Sequence, residues 1–252
     1  MTSRVALVTG GAGGIGREVC VALAADDRRV AVADINTEGA EETAEMIRAQ
    51  GGEALVVTMD ITDSDSVIQG CLMVADEMGP VEILVNVAGW DRFAKFLDTD
   101  EELWDLLIEI NYKGVLRTTH ACLPAMVAGG WGRIVNIASD AGRVGSSLEA
   151  VYSGAKGAVI AFSKTIAREV ARSGVTVNSV CPGPTDTALL ASAADSAANP
   201  ERMLGALEGA VPMKRLGQPS DIAPAVVYFA SEGSAFTTGQ TVSVSGGLTM
   251  AG

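Results

Sequence analysis

The sequence predicts one α/β domain whose seven parallel strands form a doubly wound sheet with helices on both faces. Short apolar runs alternate with helical stretches along the 252 residues, and this repetition forces parallel pairing through right-handed crossovers. The runs Val5–Val8 and Ile83–Val85 are apolar at every position, which is typical of strands that are covered on both faces. No linker-like or low-complexity segment interrupts this pattern, so residues 1–252 are expected to form a single domain.

Each predicted strand is a short apolar run, and each of the first six is followed by a stretch with helical periodicity or by a loop. The predicted strands are Arg4–Thr9, Arg29–Asp34, Glu53–Met59, Val81–Asn86, Gly132–Ser139, Val175–Cys181 and Thr241–Ser245. The predicted helices lie near residues 15–25, 38–50, 63–78, 100–128, 150–173 and 219–231. An alanine-rich insertion at residues 185–212 follows the sixth strand. Because ligands of such sheets bind beyond the carboxyl ends of the strands, we interpret this insertion as a substrate lid.

The composition argues against several classes of function. The chain has 31 acidic and 18 basic side chains, giving a net charge of −13. Nucleic acids and anionic membranes are bound through basic faces, so neither is expected as a partner. The four cysteines are widely spaced and no residues have the spacing of metal ligands, so reduced core thiols and no metal are expected. Without a signal peptide or an apolar run near 18 residues, the expected location is the cytoplasm.

A glycine-rich turn directly after the first strand predicts a nucleotide-binding site. Gly10, Gly14 and Gly16, with Ile15 between the last two, permit a tight turn that brings backbone N–H groups and a helix N-terminus to a pyrophosphate. The position between a strand and a helix is what makes this motif informative. Asp34 ends the second strand eighteen residues after Gly16, where a carboxylate accepts hydrogen bonds from an adenosine ribose and repels a 2′-phosphate. The pattern therefore predicts NAD in preference to NADP.

Polar and small residues also stand at the ends of the third and fourth predicted strands. Asp60 follows the third strand, and Asn86, Ala88 and Gly89 end the fourth. Because the carboxyl ends of parallel strands meet at one edge, we expect these residues along the same crevice as Gly10. Asp60 is a candidate acceptor for the adenine amino group, and Asn86 is a candidate tie between strand ends. Turn chemistry explains each residue singly almost as well.

The segment Tyr152–Lys156 carries a phenol and an ammonium four residues apart, and Ser139 stands thirteen residues before the tyrosine. On a helix, residues four apart lie on one face. A nearby cation favours the phenolate and moves the pKa of a tyrosine from about 10 toward neutrality, as a catalytic base requires. A Tyr-x-x-x-Lys pattern also arises by chance on exposed helices. The nucleotide site elsewhere in the chain favours the catalytic interpretation.

From Val5 to its C-terminus the chain resembles the short-chain dehydrogenase/reductase family, which implies a Rossmann fold and a nicotinamide cofactor. The resemblance is carried by Thr9–Gly16, Asp34, Asp60, Asn86–Gly89, Asn111, Ser139, Tyr152 with Lys156, and Pro182–Gly183. One departure is Val87, where the family usually has a second asparagine. The family also implies a homotetramer built on the helices near residues 100–128 and 150–173 and on the final strand.

The resemblance further implies a catalytic tetrad. Tyr152 would exchange a proton with the substrate oxygen, and Ser139 would hydrogen-bond that oxygen and stabilise its developing charge. Lys156 would bind the nicotinamide ribose and lower the pKa of Tyr152. Asn111 would hold a water that links Lys156 to solvent. The nicotinamide carboxamide would be oriented by Pro182, Gly183 and Thr187.

Several segments beyond the cofactor motifs resemble a subgroup of the family that oxidises the ring alcohol of 2-hydroxycyclohexanecarboxyl-CoA. These segments are Gly89–Asp91, Ala138–Ser147, Glu149–Tyr152, Cys181–Leu190 and Ser243–Met250. The implied substrate is that secondary alcohol or a related 3-hydroxyacyl-CoA, or the corresponding ketone. Arg143 is a candidate ligand for its thioester carbonyl, and Trp90 is a candidate pocket floor. An arginine that is solvated or ion-paired, and a tryptophan that only packs, are equally good interpretations.

Other functions remain open at this stage. A 3-oxoacyl carrier-protein reductase shares the motifs, but Asp34 and the net charge of −13 oppose NADPH and an acidic carrier. An alcohol or steroid dehydrogenase with an uncharged substrate would leave Arg143 idle. A non-catalytic nucleotide-binding regulator is disfavoured by the intact tetrad, and a sugar-nucleotide epimerase by the lack of a longer C-terminal substrate domain.

Overall fold

The apolar runs assemble into a parallel sheet of seven strands in the computed structural model, which describes residues 3–195 and 199–251. The strands are β1 (Val5–Thr9), β2 (Arg29–Asp34), β3 (Ala54–Thr58), β4 (Ile83–Asn86), β5 (Gly132–Ile137), β6 (Val175–Pro182) and β7 (Thr241–Val244). Their order in the sheet is β3-β2-β1-β4-β5-β6-β7. The order reverses between β1 and β4, so a crevice opens there at the carboxyl ends of the strands. The predicted doubly wound sheet is confirmed.

The helices of the described residues cover both faces of this sheet. They are α1 (Gly14–Ala25), α2 (Thr37–Ala49), α3 (Ser64–Glu77), α4 (Glu101–Ile108), α5 (Gly114–Gly129), α6 (Ala141–Val144), α7 (Ala150–Val170), α8 (Ala188–Asp195), α9 (Pro200–Ala210) and α10 (Pro219–Ala230). None of the helices in the part of the chain that the structure describes is long and apolar enough to cross a membrane.

Alternation along the strands builds a separate core on each face. Ala6 and Val8 of β1 pack with apolar residues of α1, α2 and α10, whereas Val5 and Leu7 pack with residues of α3, α5 and α7. All five residues of β1 are buried, because both of its faces are covered. The continuously apolar strands are thus explained by two helical layers around one sheet.

The helix predicted over residues 100–128 is interrupted. Helix α4 ends at Ile108, residues Glu109–Lys113 form a π-helical turn, and α5 then continues to Gly129. The extra residue in the turn gives Asn111 a place on the inner side, where it is fully buried. Such single π turns inside helices are found frequently at functional sites.

The insertion after β6 folds as the two helices α8 and α9, and residues 196–198 of the predicted lid lie outside the described residues. Its two ends are held together by a short parallel bridge between Thr185 and Gly217. Gly217 N donates to Pro184 O at 2.9 Å, and Asp186 N donates to Gly217 O at 2.8 Å. Leu190 of α8 and Leu207 of α9 face the crevice. The insertion therefore roofs the carboxyl edge of the sheet.

Candidate active site

A crevice of about 880 Å³ runs along the carboxyl edge of the sheet. It extends from the ends of β2 and β3, across the turn after β1, to the residues that follow β4, β5 and β6. Most of the predicted site residues line it, namely Gly10, Gly14, Ile15, Gly16, Asp34, Asp60, Ala88, Gly89, Ser139, Tyr152, Lys156, Pro182, Gly183 and Thr187. Residues far apart in sequence thus share one pocket.

The turn after β1 has backbone conformations that require glycine. Gly10 and Gly14 have φ values of +71° and +51°, in the left-handed region. A Cβ on Gly16 would lie 1.9 Å from Gly10 O, so α1 can begin this close to the turn only with glycine there. A Cβ on Gly13 would have no neighbour within 4 Å. The turn therefore leaves open space in front of the N-terminus of α1, where an anion is stabilised.

Asp34 stands at the edge of the glycine turn, as the sequence predicts. Its Oδ2 accepts from Ala12 N at 3.0 Å and its Oδ1 accepts from Asn36 N at 2.9 Å. Asp60 lies two residues beyond the end of β3, where its Oδ1 accepts from the backbone and hydroxyl of Thr62 at 2.8 and 2.7 Å. Both carboxylates are fixed at one end of the crevice. Their negative charge disfavours a phosphate at that end.

Asn86 differs from its predicted role as a cofactor residue. Its side chain is buried away from the crevice, where Nδ2 donates to Asn136 Oδ1 at 2.8 Å and Oδ1 accepts from Thr118 at 2.7 Å. The residue joins β4 to β5 and α5, which matches the expected tie between strand ends. The crevice is lined instead by the three residues that follow it, and Thr9 Oγ1 accepts from Val87 N at 3.2 Å to hold them against β1.

Tyr152 and Lys156 lie on one face of α7 and point into the crevice. The Lys156 ammonium is 5.7 Å from the centre of the Tyr152 ring. Ser139, which follows β5, is within hydrogen-bonding reach of the Tyr152 hydroxyl. Lys156 Nζ donates to Ile137 O at 3.0 Å, which anchors the ammonium beneath the pocket. The three side chains that the sequence singled out therefore form one cluster.

Asn111 reaches the same cluster from the π turn. Its Nδ2 donates to Trp90 O at 2.7 Å and its Oδ1 accepts from Trp90 N at 3.3 Å, so it clamps the backbone that follows β4. A Cβ on Gly89 would lie 2.9 Å from Asn111 Oδ1 and 3.3 Å from Lys156 Nζ. Both polar groups thus meet over Gly89. Glycine is needed there to leave them room.

The electrostatics of this cluster differ from the expected activation of the phenol. Burial lowers the pKa of Lys156 to about 8, because the ammonium loses its hydration. Burial, followed by the charges of Asp91 and Glu149, raises the pKa of Tyr152, and the Ser139 hydrogen bond opposes that rise. In this state of the site the phenol is protonated at neutral pH. The Tyr152 hydroxyl is therefore ready to act as a proton donor, and it must lose its proton before it can act as a base.

The residues after β6 close the crevice on its other side. Gly183 N donates to Val244 O at 3.0 Å, and Pro182 O accepts from Asp140 N at 3.1 Å, so this segment is fixed between β5 and β7. Thr187 begins the roof, where its Oγ1 accepts from Leu190 N at 3.2 Å. Its methyl group would lie 3.4 Å from a Cβ on Gly14. The segment therefore spans from the cluster of Ser139, Tyr152 and Lys156 back to the glycine turn.

Of the two candidate substrate residues, one lines the crevice and the other does not. Trp90 lines the crevice beside the tetrad cluster. Arg143 does not line it, because its guanidinium turns to the C-terminal segment and donates to Ser243 Oγ at 2.8 Å and to Ala251 O. The structure does not place Arg143 as a substrate ligand. It braces the chain that follows β7.

Three acidic residues that line the crevice, Asp91, Asp140 and Glu149, were not predicted as site residues. Asp91 is 6% exposed, and the side chain of Glu149 faces it from the start of α7. Burial and the adjacent Glu149 carboxyl raise the pKa of Asp91 to about 8. The sequence does contain one indication that Asp91 lies at the site. It stands two residues after Gly89, which follows a buried strand. Residues 3–195 and 199–251 contain no group of three or more metal-binding side chains.

The crevice fits a dinucleotide cofactor. The glycine turn leaves space for a phosphate group at a helix N-terminus, and Asp34 stands where a ribose would be hydrogen-bonded. Ser139, Tyr152 and Lys156 stand at the opposite end of the same crevice. The arrangement brings a hydroxyl, a phenol and an amine to the point where a reacting carbon would meet the cofactor.

Comparisons with known proteins agree with this geometry. A profile of the family described as short chain dehydrogenase matches residues 4–198. The acetoacetyl-CoA reductase of Rhizobium meliloti (strain 1021) is 39% identical over 245 residues, which cover 97% of this chain and 98% of the reductase. The 3-oxoacyl-[acyl-carrier-protein] reductase of Synechocystis sp. is 38% identical over 253 residues, covering 99% and 98%.

Among solved structures, a variant of actinorhodin polyketide ketoreductase with NADPH matches with a TM-score of 0.93 and 38% identity. The match covers 98% of this chain and 97% of the ketoreductase. The two chains are therefore aligned almost end to end. The chain is an oxidoreductase that belongs to the short-chain dehydrogenase family.

Proposed function

We propose that this protein is an NAD-dependent oxidoreductase that interconverts a secondary alcohol and a ketone on an acyl thioester. The substrate we favour is 2-hydroxycyclohexanecarboxyl-CoA or a related 3-hydroxyacyl-CoA, with the matching 3-oxo compound. The observation that carries the proposal is the single crevice that holds Asp34 at one end and Ser139, Tyr152 and Lys156 at the other.

The chemistry follows from the residues at the second end. Tyr152 donates a proton to the ketone oxygen in reduction, or accepts it from the alcohol in oxidation. Ser139 donates a hydrogen bond to the same oxygen and stabilises its developing charge. When bound, the nicotinamide cofactor supplies or accepts the hydride. Lys156 and Asn111 then provide the route by which the Tyr152 proton is exchanged with solvent.

The preference for NAD rests on the first end of the crevice. Asp34 holds a fixed carboxylate at the glycine turn, and Lys156 is the one basic residue among the described residues that line the crevice. Arg17 follows the turn but is ion-paired with Glu42 at 2.7 Å. A 2′-phosphate would therefore meet negative charge with no cation to balance it. The ketoreductase neighbour has NADPH, so cofactor choice is the first property to measure.

The proposal is tested by initial rates with NADH and NADPH against 3-oxoacyl-CoAs, cyclic oxoacyl-CoAs, carrier-protein thioesters and plain ketones. We expect the highest kcat/KM with NADH and a CoA thioester. Asp34→Ala should reduce the preference for NADH over NADPH by at least about tenfold, because the repulsion of the 2′-phosphate is removed. An unchanged preference in that variant would refute the role of Asp34.

A second candidate function is reduction of 3-oxoacyl carrier-protein thioesters. It is favoured by the Synechocystis relative, which is 38% identical over nearly the whole chain. The net charge of −13 opposes it, because an acidic carrier would be repelled. A carrier-protein thioester that gives a higher kcat/KM than its CoA counterpart, with NADPH preferred, would establish this function in place of the first.

A further inference from the structure

Asp91 occupies an unusual position for an acidic side chain. It is 6% exposed and lines the crevice next to the tetrad. No amide, hydroxyl or cationic donor of the described residues reaches its Oδ1. Burying a carboxyl oxygen without a hydrogen-bond donor costs free energy. Native proteins keep such an oxygen where a bound ligand supplies the missing hydrogen bond or where the carboxyl group is protonated.

The position of Asp91 is set by the backbone on both sides of it. Asn111 clamps Trp90 through two hydrogen bonds, and Ala94 N donates to Leu148 O at 2.9 Å. The second bond holds the loop after β4 against the residues that precede α7. Leu148 has a φ of +70°, a conformation that is uncommon for leucine and directs the chain into Glu149. The loop cannot turn Asp91 out to solvent without breaking these contacts.

Glu149 meets Asp91 across the crevice. The two carboxyl groups lie within hydrogen-bonding reach of each other, which favours a proton on one of them. The other titratable groups that face Asp91 are Tyr152 and Lys156 of α7. Burial and Glu149 raise the pKa of Asp91 to about 8, and the Arg92 backbone hydrogen bond and the Lys156 charge only partly offset this rise. At neutral pH Asp91 therefore holds a proton.

A neutral carboxyl group has an O–H to donate, whereas an ionised one only accepts. A 3-oxoacyl thioester presents two acceptors: the ketone oxygen at the reacting carbon and the acyl carbonyl two carbons away. Ser139 and Tyr152 account for the first oxygen under the proposed function. Arg143 is turned to the C-terminal segment and does not line the crevice, so its guanidinium is not available to the second oxygen. Asp91 is a buried polar group that lines the crevice and faces Glu149 and Tyr152.

We propose that Asp91 turns its O–H from Glu149 to the acyl carbonyl when the substrate binds, and so selects thioesters over plain ketones. This inference rests on the proposed function, because it assumes a 3-oxoacyl or 3-hydroxyacyl substrate. Asp91 is a substrate-binding residue in this scheme. Glu149 is a positioning residue that keeps the proton on Asp91.

The first test compares two substrates at pH 7, with NADH as the reductant. Asp91→Leu should raise KM for acetoacetyl-CoA by about tenfold, the usual value of one hydrogen bond, and leave KM for cyclohexanone within twofold. Asp91→Asn, which keeps a donor, should bind acetoacetyl-CoA nearly as the natural protein does. Asp105→Asn removes the same charge from an exposed position of α4 and should change neither constant. Equal changes for both substrates in Asp91→Leu would overturn the proposal.

The second test uses pH and needs no destabilising substitution. KM for acetoacetyl-CoA in the natural protein should rise by about tenfold between pH 7 and 9.5, as Asp91 ionises and loses its donor. The rise should vanish in Asp91→Asn, which separates it from the titration of Lys156. In Glu149→Gln the rise should begin at a lower pH, because the partner that raises the pKa of Asp91 is gone.

The outcomes are distinguishable. A KM that falls above pH 8 would mean that ionised Asp91 accepts from a donor or a cation on the substrate, and the proposal would be wrong. A KM that is independent of pH would exclude the role of Asp91 while leaving the proposed function intact. Failure of the natural protein to reduce any thioester with NADH would refute the proposed function itself.

Discussion

The hydroxyl of Tyr152 is the single group on which the proposed chemistry depends. Tyr152→Phe keeps the ring that packs in the crevice and removes only the proton donor. We expect kcat to fall by about 10² to 10⁴-fold, because that is the usual contribution of a positioned acid or base. The dissociation constant for NADH, measured by fluorescence titration, should stay within twofold.

The matched control for this substitution is Tyr228→Phe on α10. The Tyr228 hydroxyl lies 3.3 Å from Thr237 Oγ1 and is remote from the crevice, so its removal should leave kcat unchanged. Substantial turnover by Tyr152→Phe would remove Tyr152 from the catalytic role. A parallel loss of NADH binding would instead mean that the ring had moved.

The buried carboxyl of Asp91 has a consequence for stability. The pKa of Asp91 is raised to about 8 in the folded protein, from an ordinary value near 4 in the unfolded chain. Stability gained by holding this proton is present at low pH and is lost as pH rises through the folded pKa. We expect Asp91→Asn to raise Tm relative to the natural protein, by more at pH 8 than at pH 5. Thermal scans across this range, with Asp105→Asn as control, check the sign, and a difference that shrinks with pH would contradict it.

Residue identities in the site were predictable to different degrees. Tyr152 and Lys156 were found because their spacing has a geometric meaning on a helix, and Asp34 because it stands at a strand end. The Arg143 side chain turns away from the crevice, and the Asn86 side chain makes the expected tie between strands without lining the crevice. A sequence does not reveal which way a side chain turns from a loop or a strand end. Asp91 was missed as a site residue because its significance lies in burial and in its partner, which come from elements far apart in sequence.

At the scale of elements, the glycine turn and α1 act as one unit. A Cβ on Gly16 would lie 1.9 Å from Gly10 O, a backbone atom that cannot move without opening the turn. We therefore expect Gly16→Ala to lower the free energy of unfolding by about 1–3 kcal/mol or more, as overpacking does. Urea unfolding measures this, and NADH titration should show weakened binding in the same variant.

Gly13→Ala tests the effect of this turn on cofactor binding without disturbing the fold. Gly13 has an extended backbone and a Cβ there would meet no atom within 4 Å, so stability should change by less than about 1 kcal/mol. The added methyl group would occupy the space that faces the crevice. Affinity for NADH should therefore fall although the fold is intact. Unchanged affinity would mean that the cofactor phosphates do not approach this turn.

The helices and strands were predicted well where burial gives the sequence a regular pattern of apolar residues. Strands such as β1 are apolar on both faces because helices cover both, and that pattern is visible in the sequence. The π turn at Glu109–Lys113 was not predictable, because one extra residue in a helix shifts its apolar stripe by roughly a quarter turn and leaves the composition unchanged. The insertion was located from its alanine content. Its division into α8 and α9 depends on packing over the crevice.

At the scale of the whole molecule, one helical layer remains partly uncovered. Helices α3, α5 and α7 pack on the sheet with their inner faces, and their outer faces form a groove of about 430 Å³. Leu116, Phe162 and Ile166 line this groove. On α3, Ile68 and Leu72 are 48% and 52% exposed. An apolar surface of this kind marks an interaction site.

We expect a second copy of the chain to cover this layer, within the homotetramer that the family resemblance implies. Sedimentation equilibrium should then give a mass near four times the 25.8 kDa of one chain. Ile68→Asp should lower that mass, because a charge would be buried against the partner without a counter-ion. Leu97→Asp, at a residue that is 93% exposed and outside the groove, controls for the added charge and should leave the mass unchanged. A natural protein that sediments as a single chain would contradict the expectation and would leave the apolar groove exposed to water in solution.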